Sequence, residues 1–115
     1  MSHDPNCVFC RIVRGELPAK KVYEDDDVVV FPDIHPIAPV HLLMVPKDHF
    51  VHLGDAGDHR EALLGKMLLL APRLAREQGA TNGFRVIINN GPDGGQEVHH
   101  LHVHVLGGPR PWKRL

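Results

Sequence analysis

Residues 94–108 read G-G-Q-E-V-H-H-L-H-V-H-V-L-G-G, and this stretch decides how we interpret the rest of the chain. Side chains on a β-strand alternate between its two faces, so residues two apart share a face. A strand over residues 101–106 therefore carries a row of imidazoles on one face, about 6.6 Å apart at the backbone, and aliphatic side chains on the other. The row consists of His100, His102 and His104.

Three interpretations of the histidine row are open from the residues alone. It can be a polar stripe on an exposed edge strand, a set of metal ligands, or a group of imidazoles that converge on one phosphate. Three histidines at alternate positions rarely arise by chance, which disfavours the simple stripe. His99 has the opposite parity and is expected on the other face of the strand.

The patterns along the chain predict a short helix, three strands, a long helix and two further strands. This order indicates an α+β fold, with a mainly antiparallel five-stranded sheet and one long and one short helix. A chain of this size often covers its sheet by pairing with a second copy, so we expect a homodimer that extends the sheet. The helices are predicted over residues 7–14 and 58–78, and the strands over residues 21–24, 28–31, 41–45, 84–89 and 101–106.

The long helix is predicted from apolar residues that recur at helical spacing. Asp58 and Glu61 are expected to cap its start, and Gly79 is expected to end it. Pro72 lies inside the pattern and is expected to bend the helix or divide it. The predicted apolar face consists of Leu64, Met67, Leu68, Ala71, Leu74 and Ala75.

Length and composition narrow the class of protein. The chain has 115 residues, which we expect to form one domain over residues 1–115. A hydrophobic fraction of 43% and a charged fraction of 23% are ordinary for a globular protein, and a net charge of −1 gives no reason to expect nucleic-acid binding. No run approaches the ~20 apolar residues of a membrane span. Residues 1–5 are polar and do not resemble a signal peptide, so we expect a cytoplasmic protein without membrane or nucleic-acid partners.

Cys7 and Cys10 are the two cysteines of the chain, in C-x-x-C spacing. In a reducing cytosol this spacing favours metal binding or redox chemistry over a structural disulfide. A redox pair usually follows a strand and opens a helix, but no strand is predicted before Cys7. Metal ligands and two small buried residues are the other interpretations.

Residues 100–106, H-L-H-V-H-V-L, match the H-φ-H-φ-H-φ-φ signature (φ is hydrophobic) of the histidine triad (HIT) family. Three further stretches resemble the family in the same order, so the likeness covers nearly the whole chain. It is most similar to the Hint branch, the purine nucleoside phosphoramidases. The three stretches are C-V-F-C-R-I-V-R-G-E-L-P-A at residues 7–19, F-P-D-I-H-P-I-A-P-V-H-L-L-M-V-P-K at residues 31–47 and N-N-G-P-D-G-G-Q-E-V at residues 89–98.

The resemblance implies that His102 attacks the α-phosphorus of a nucleotide and that His104 contacts the phosphate or nearby oxygens. A neutral imidazole is a good nucleophile at pH 7, and a nucleotidyl-histidine intermediate divides one hard displacement into two easier ones. His100 is expected beside the nucleophile as the third catalytic histidine. Many close relatives place Ser where this chain has Glu97, so we expect the carboxylate to face the leaving group, where it would suit a cationic amine.

The resemblance also implies nucleotide contacts, each of which has a plainer structural alternative. The turn before the histidine row can cradle a phosphate or can be an ordinary hairpin connection. Asp33 corresponds to a ribose-binding acid, although an Asp beside a proline also caps turns. Phe31 and Ile34, which would form apolar walls around the base, can equally be core residues. His41 is a lone histidine at the start of a strand, and such a histidine is often structural. The candidate nucleotide-binding residues are Phe31, Asp33, Ile34, His41, Asn89, Gly95 and Gln96.

Relatives that keep the C-x-x-C bind zinc with two further histidines, which implies a Cys₂His₂ structural site of Cys7, Cys10, His49 and His100. Many relatives lack the cysteines, so no cofactor is required for the chemistry. The expected function is a purine nucleoside phosphoramidase that releases AMP or GMP. The alternatives are a dinucleoside polyphosphate hydrolase, a zinc-stabilised nucleotide-binding module with little turnover, and a metal-only catalytic site. Trp112 can reach a partner subunit or pack on its own domain.

Overall fold

The computed structural model describes residues 2–113 and contains the helices and strands in the predicted order. The main elements are a 17-residue helix and a single antiparallel sheet of five strands. Two 3₁₀ turns, Leu53–Asp55 and Asp58–Arg60, precede the long helix. The elements are α1 (Val8–Val13), β1 (Tyr23–Glu24), β2 (Val28–Pro32), β3 (Val40–Pro46), α2 (Glu61–Glu77), β4 (Phe84–Ile87) and β5 (Val103–Gly107).

The sheet has the order β1-β2-β3-β5-β4, and every neighbouring pair is antiparallel. The predicted α+β class with a five-stranded antiparallel sheet is therefore confirmed. β5 lies between β3 and β4, so His104 faces Leu43 on one side and Ile87 on the other. In the same register His41 lies opposite Leu106.

The two faces of the sheet are covered differently. Helix α2 packs its Met67, Ala71 and Leu74 on one face, against strand residues that include Met44 and Val103. The six-residue helix α1 covers only part of the other face, where Phe9 and Ile12 pack on a smaller cluster. That cluster contains Val29, Phe31, Leu43 and Val45. His104 shares this face, because Leu43 lies opposite it across the ladder.

Three predicted strands are shorter in the structure. β1 covers Tyr23–Glu24 and not residues 21–24. β5 begins at Val103 and not at residue 101, because the N–H of Leu101 donates to the carbonyl of Phe50 at 2.8 Å and leaves the ladder to β3. β4 ends at Ile87, before Asn89. His100 and His102 therefore lie on a bent segment before the strand, and His104 is the one member of the row inside it.

Two expectations for the long helix are corrected, a division at Pro72 and a buried Leu68. Pro72 does not divide α2, which runs unbroken over 17 residues. The carbonyl that Pro72 leaves unpaired is four residues earlier, at Leu68, whose residue is 48% exposed and can be hydrated. Leu68 therefore lies outside the buried face, and Leu70 takes that place.

The ends of α2 show one error and one success. Asp58 does not cap the helix, because it opens a 3₁₀ turn after Gly57, and no side chain caps the start of α2. Gly79 ends the helix as expected, with φ +106° and its N–H on the carbonyl of Arg76. Within residues 2–113, no helix is both long and apolar enough to cross a membrane.

Candidate functional site

His102 is held in one tautomer by the backbone. Its Nδ1 lies 2.8 Å from the carbonyl oxygen of His100, and a carbonyl only accepts, so Nδ1 carries the proton. Nε2 therefore presents a lone pair. The residue is 7% exposed, Nε2 has no hydrogen-bond partner among residues 2–113, and no fully buried side-chain nitrogen or oxygen in that range lacks one. Nε2 is thus an unprotonated nitrogen with access to solvent.

A chain of hydrogen bonds fixes the proton of His104 in a similar way. The N–H of Ile37 donates to Nδ1 of His41 at 3.1 Å, so the proton of neutral His41 is on Nε2. That Nε2 lies 2.9 Å from Nδ1 of His104 and 3.4 Å from a carboxylate oxygen of Asp33. When His41 donates to His104, the second nitrogen of His104 carries a proton. His104 then acts as a donor beside the lone pair of His102, with ring centroids 5.0 Å apart.

Burial keeps these histidines neutral. Burial lowers the pKa of His104 to about 4, and repulsion from His102 and His41 adds to the effect. Burial also lowers the pKa of His41, although the nearby Asp33 carboxylate opposes this shift. At neutral pH the two rings therefore share one proton between their facing nitrogens, as the hydrogen-bond chain requires.

Asp33, His41 and His104 bring three donor atoms within 4.8 Å of one another, which also suits a metal ion. The Ile37 N–H argues against a metal here. Because it occupies the lone pair on Nδ1 of His41, the ring must keep its proton on Nε2, the nitrogen that would bind the ion. The group is better described as a hydrogen-bonded relay than as a metal centre.

His100 lies in a different environment from the other two histidines of the row. It is fully buried, and its Nε2 donates to the carbonyl of Pro46 at 2.8 Å. Its Nδ1 faces the two cysteines and His49, with His49 Nδ1 at 3.0 Å. Neither nitrogen is left for a substrate, so the expectation of a third catalytic ring is corrected. His100 serves His102 through its backbone carbonyl.

Four side chains form a cluster that fits a zinc ion. The Sγ atoms of Cys7 and Cys10 lie 3.4 and 3.5 Å from Nδ1 of His100, and Cys10 Sγ lies 3.3 Å from Nδ1 of His49. Tetrahedral zinc with Zn–S and Zn–N bonds of about 2.3 and 2.0 Å places its donors roughly 3.3–3.8 Å apart. The Pro46 carbonyl orients His100, as the outer partner of a metal-bound histidine usually does.

The cysteine sulfurs also have the partners of a metal site. The N–H groups of Asp4 and Cys10 point at Cys10 Sγ and Cys7 Sγ, each at 3.4 Å. Without a metal, burial raises the pKa of Cys10 to about 11, so the thiol stays protonated. A bound zinc ion would reverse this preference, because zinc takes thiolates. The donor set therefore fits zinc.

Phe9 links this cluster to His102 and was missed by the sequence reasoning. It stands between the two cysteines in α1, and its ring meets His102 edge-on at 5.1 Å and His100 at 5.9 Å between centroids. Phe31 packs on the other side of Phe9 at 5.9 Å and is buried. Phe31 is therefore a core residue and not an exposed wall for a base. Ile34, in contrast, is 85% exposed.

The turn before the histidine row is braced from inside. Gln96 is buried, and its Oε1 accepts from the N–H of Gly91 at 2.9 Å, while its Nε2 donates to the carbonyls of Val51 and Val98 at 2.6 and 3.0 Å. The N–H groups of Gly95 and Gln96 bond to carbonyls within the turn. Neither the Gln96 side chain nor these two N–H groups are free for a phosphate, which corrects that expectation.

The remaining candidates lie around the two histidines. Asp33 uses one carboxylate oxygen to accept from the N–H of His35 at 2.9 Å and turns the other towards His41, so it caps a turn and also reaches the site. Asn89 is half-buried and follows β4, two residues after Ile87, which lies opposite His104. Glu97 is exposed, directly after the braced turn.

Comparison with known proteins agrees with this arrangement. The HIT domain family matches residues 14–110. Protein HitA of Neisseria gonorrhoeae is 52% identical over 104 residues, which cover 90% of this chain and 97% of HitA. A HIT family hydrolase from Legionella pneumophila Philadelphia 1 is 44% identical with a TM-score of 0.87, over 91% of this chain and 95% of that one. A Zn-bound histidine triad family protein from Mycobacterium smegmatis is 38% identical with a TM-score of 0.78, over 89% and 74%.

The family match begins at residue 14, just after α1, and covers the antiparallel sheet, the long helix and the histidine row. The match with HitA extends over nearly the full length of both chains. The chain belongs to the HIT family.

Proposed function

We propose that this protein is a Hint-like HIT hydrolase that acts at the α-phosphorus of a purine nucleoside phosphoramidate and releases AMP or GMP. The observation that carries the proposal is the fixed tautomer of His102, which aims a lone pair at solvent beside the donor N–H of His104. The name of the Legionella pneumophila relative, a HIT family hydrolase, supports the reaction class.

In the first step, Nε2 of His102 attacks the α-phosphorus, and the bond from phosphorus to the leaving nitrogen breaks. The leaving nitrogen takes up a proton from solvent as this bond breaks, and the nucleotidyl group stays on Nε2 of His102. Water then attacks the phosphorus and releases a proton to solvent, the bond to Nε2 breaks, and the nucleoside monophosphate leaves. No metal takes part in either step.

His104 stabilises the charge that grows on the phosphoryl oxygens. Its second nitrogen carries a proton because His41 donates to the first, so the ring offers an N–H to an oxygen of the transition state. Asp33 stabilises the proton on His41, and its carboxylate, whose side chain is 18% exposed, is also proposed to accept from the ribose hydroxyls. Ile34 and Asn89 are the other residues through which we propose nucleotide contacts.

Glu97 is proposed to face the leaving group. Its carboxylate is exposed and free of hydrogen bonds to described residues, next to the turn that Gln96 braces. An ionised carboxylate repels phosphate oxygens but attracts an amine that is becoming protonated. Glu97→Ser is expected to change the order of rates across a series of amine leaving groups, and an unchanged order would disprove this role.

Zinc is proposed as a structural ion held by Cys7, Cys10, His49 and His100. The donor distances support it, as does the Zn-bound relative from Mycobacterium smegmatis. The ion would fix α1 to the segment of His100. It would thereby hold Phe9 against the ring of the nucleophile, and hold the carbonyl that sets the tautomer of His102.

We also propose that residues 1–115 act as one HIT unit within a homodimer. β4 is an end strand of the sheet, so one of its edges has no strand neighbour among the described residues. Large apolar side chains are exposed nearby, with Phe84 on β4 and Leu69, 80% exposed, on α2. An open strand edge with apolar neighbours suits pairing with a second copy.

The proposal is tested by AMP release from adenosine 5′-phosphoramidate. His102→Ala is expected to lose activity by at least about 10³-fold, because it removes the nucleophile. His99→Ala is the matched control, since His99 is exposed and outside the site, and it is expected to keep full activity. AMP binding and the melting temperature of each variant show that the fold is intact.

Two other outcomes would redirect the proposal. AMP binding by the wild type without turnover would favour the polyphosphate hydrolase or the binding module. Activity that survives in His102→Ala but disappears with a chelator would favour a metal-only catalytic site. Either result would overturn the proposed phosphoramidase, and the second would also contradict nucleophilic catalysis by His102.

A further inference from the structure

A pocket of about 240 Å³ lies next to His104 on the same face of the sheet. Its floor is apolar and is made by Ile37, Ile87 and Leu106. Ile87 lies directly opposite His104, and Leu106 is one side-chain position further along β5, about 6.6 Å at the backbone. The pocket therefore borders His104, on the face of the sheet where the phosphate would lie.

The other lining residues are three cations and one tryptophan: Arg85, Arg110, Lys113 and Trp112. No acidic side chain lines the pocket, and none of the three cations forms an ion pair within residues 2–113. Gathering like charges in one pocket is unfavourable unless an anion neutralises them. Arginine supplies planar donors that match phosphate and carboxylate oxygens.

Trp112 holds the two arginines of the pocket in place. The guanidinium carbons of Arg110 and Arg85 lie 4.4 and 5.5 Å from the centre of its ring. The ring is anchored, because its Nε1 donates to the carbonyl of Gly108 at 3.1 Å. Next to it the N–H of Lys113 donates to the carbonyl of Ile37 at 2.9 Å. Trp112 thus packs on its own domain and orders the pocket before any ligand arrives.

We propose that this basic pocket binds an anionic group of the phosphate class at the far end of the leaving group. The inference rests on the proposed nucleotidyl transfer at His102, since Leu106 in the pocket floor lies two residues beyond His104, on the side away from the nucleophile. The best substrates then carry a purine nucleoside on one side of the scissile phosphorus and a phosphate on the other. Glu97 is proposed to contact the leaving-group atom that is bonded to phosphorus, and the pocket is proposed to contact the distal part of the leaving group.

Two matched substrates test this: the adenosine 5′-phosphoramidates of ethanolamine and of O-phosphoethanolamine, which differ only in the distal phosphate. The wild type is expected to show a kcat/KM about 10-fold higher for the phosphorylated substrate, as expected for charge-assisted contacts in a half-open pocket. Arg110→Gln and Lys113→Gln are each expected to lower this ratio without changing hydrolysis of the ethanolamine substrate. Arg76→Gln, on the exposed side of α2, is the control and is expected to keep the ratio.

Failure of this inference can be told apart from failure of the proposed function. Equal kcat/KM values for the two substrates, or a preference that survives in an Arg85→Gln, Arg110→Gln, Lys113→Gln triple variant, would overturn the inference alone. If neither substrate is cleaved, calorimetric titration with inorganic pyrophosphate decides it. The wild type is expected to bind pyrophosphate at least 10-fold more tightly than the triple variant, and equal binding would overturn the pocket as an anion site.

Discussion

Gln96 gives a sharp prediction about how the turn beside the active site is held. Its side chain forms hydrogen bonds with three backbone groups, the N–H of Gly91 and the carbonyls of Val51 and Val98. Gln96→Leu keeps similar bulk but leaves all three groups without their partner. An unmet backbone group costs about 1–3 kcal/mol when buried, and this turn is partly exposed, so we expect a loss of about 3 kcal/mol in the free energy of unfolding.

A loss of that size corresponds to a fall of about 10 °C or more in the melting temperature of a domain of this length. The activity is expected to fall by at least about 10-fold even where the variant is fully folded, because the turn no longer holds Glu97 and His100 in their positions. Thermal unfolding and AMP release are measured on the same preparations. Gln78→Leu is the matched control, since Gln78 is exposed at the end of α2 and uses only its backbone there.

Gln96→Glu separates hydrogen bonding from packing. An ionised carboxylate keeps the acceptor for Gly91 but places an oxygen where Nε2 now lies, 2.6 and 3.0 Å from two carbonyl oxygens. This repulsion raises the pKa of the new carboxyl, so the destabilisation is largest at neutral pH and shrinks as the pH falls through that pKa. If Gln96→Leu and Gln96→Glu both match Gln78→Leu in stability and activity at pH 7, the bracing role is refuted.

Three further predictions concern the metal cluster and the relay. Removal of the metal by a chelator and the Cys10→Ser substitution are each expected to lower the melting temperature by about 10 °C. Added zinc is expected to restore it in the chelated wild type but not in Cys10→Ser. An unchanged melting temperature would contradict a structural metal. His41→Gln is expected to lower kcat about 10- to 100-fold with little change in KM, because His104 loses its fixed tautomer, whereas exposed His35→Gln has no effect on either constant. The pKa of His104 is about 4 in the folded protein against 6.5, so the unfolded state binds more protons between these values and stability is lost as the pH falls from 7 to 4. In chelator throughout, His104→Gln should remove about 3 kcal/mol of that pH dependence of unfolding, and an equal slope in both proteins would disprove the shift.

Much of the fold follows from local patterns. The alternation of histidines and aliphatic residues predicts a strand with one polar face, and β5 confirms it at His104. Gly79 ends α2 because its positive φ is readily adopted only by glycine. The class and the order of elements were predicted correctly for the same reason: each element carries its own period and its own stop signal.

The hydrogen bond between His41 and His104 could not be predicted from local sequence patterns. Its partner His41 is 63 residues away, and their contact depends on the register in which Leu43 lies opposite His104. Periodicity predicts which side chains share a face of a strand. It does not predict the register between β3 and β5, which is set by packing across the whole sheet. The tautomer of His41 depends in addition on one backbone N–H, that of Ile37, in a proline-rich loop.

Side chains whose role is to bond or pack within the fold were also assigned incorrectly from the sequence. Gln96 in a glycine-rich turn was assigned to a phosphate, but its length and its three donor and acceptor atoms let it fill gaps in the turn itself. Phe9 was read as part of an amphipathic helix, and its contact with His102 depends on where α1 docks on the sheet. Its position between the two cysteines of the C-x-x-C motif is a signal that could have pointed to it.

The covalent intermediate is the most direct test of nucleophilic catalysis by His102. The wild type is mixed with adenosine 5′-phosphoramidate, quenched within one turnover under mildly alkaline conditions, and mapped by peptide mass spectrometry. The account predicts an adenylyl group on His102, absent in His102→Ala and present at the usual level in His99→Ala. Adenylation of another residue, or single-turnover release of AMP with no protein adduct at any time, would contradict it.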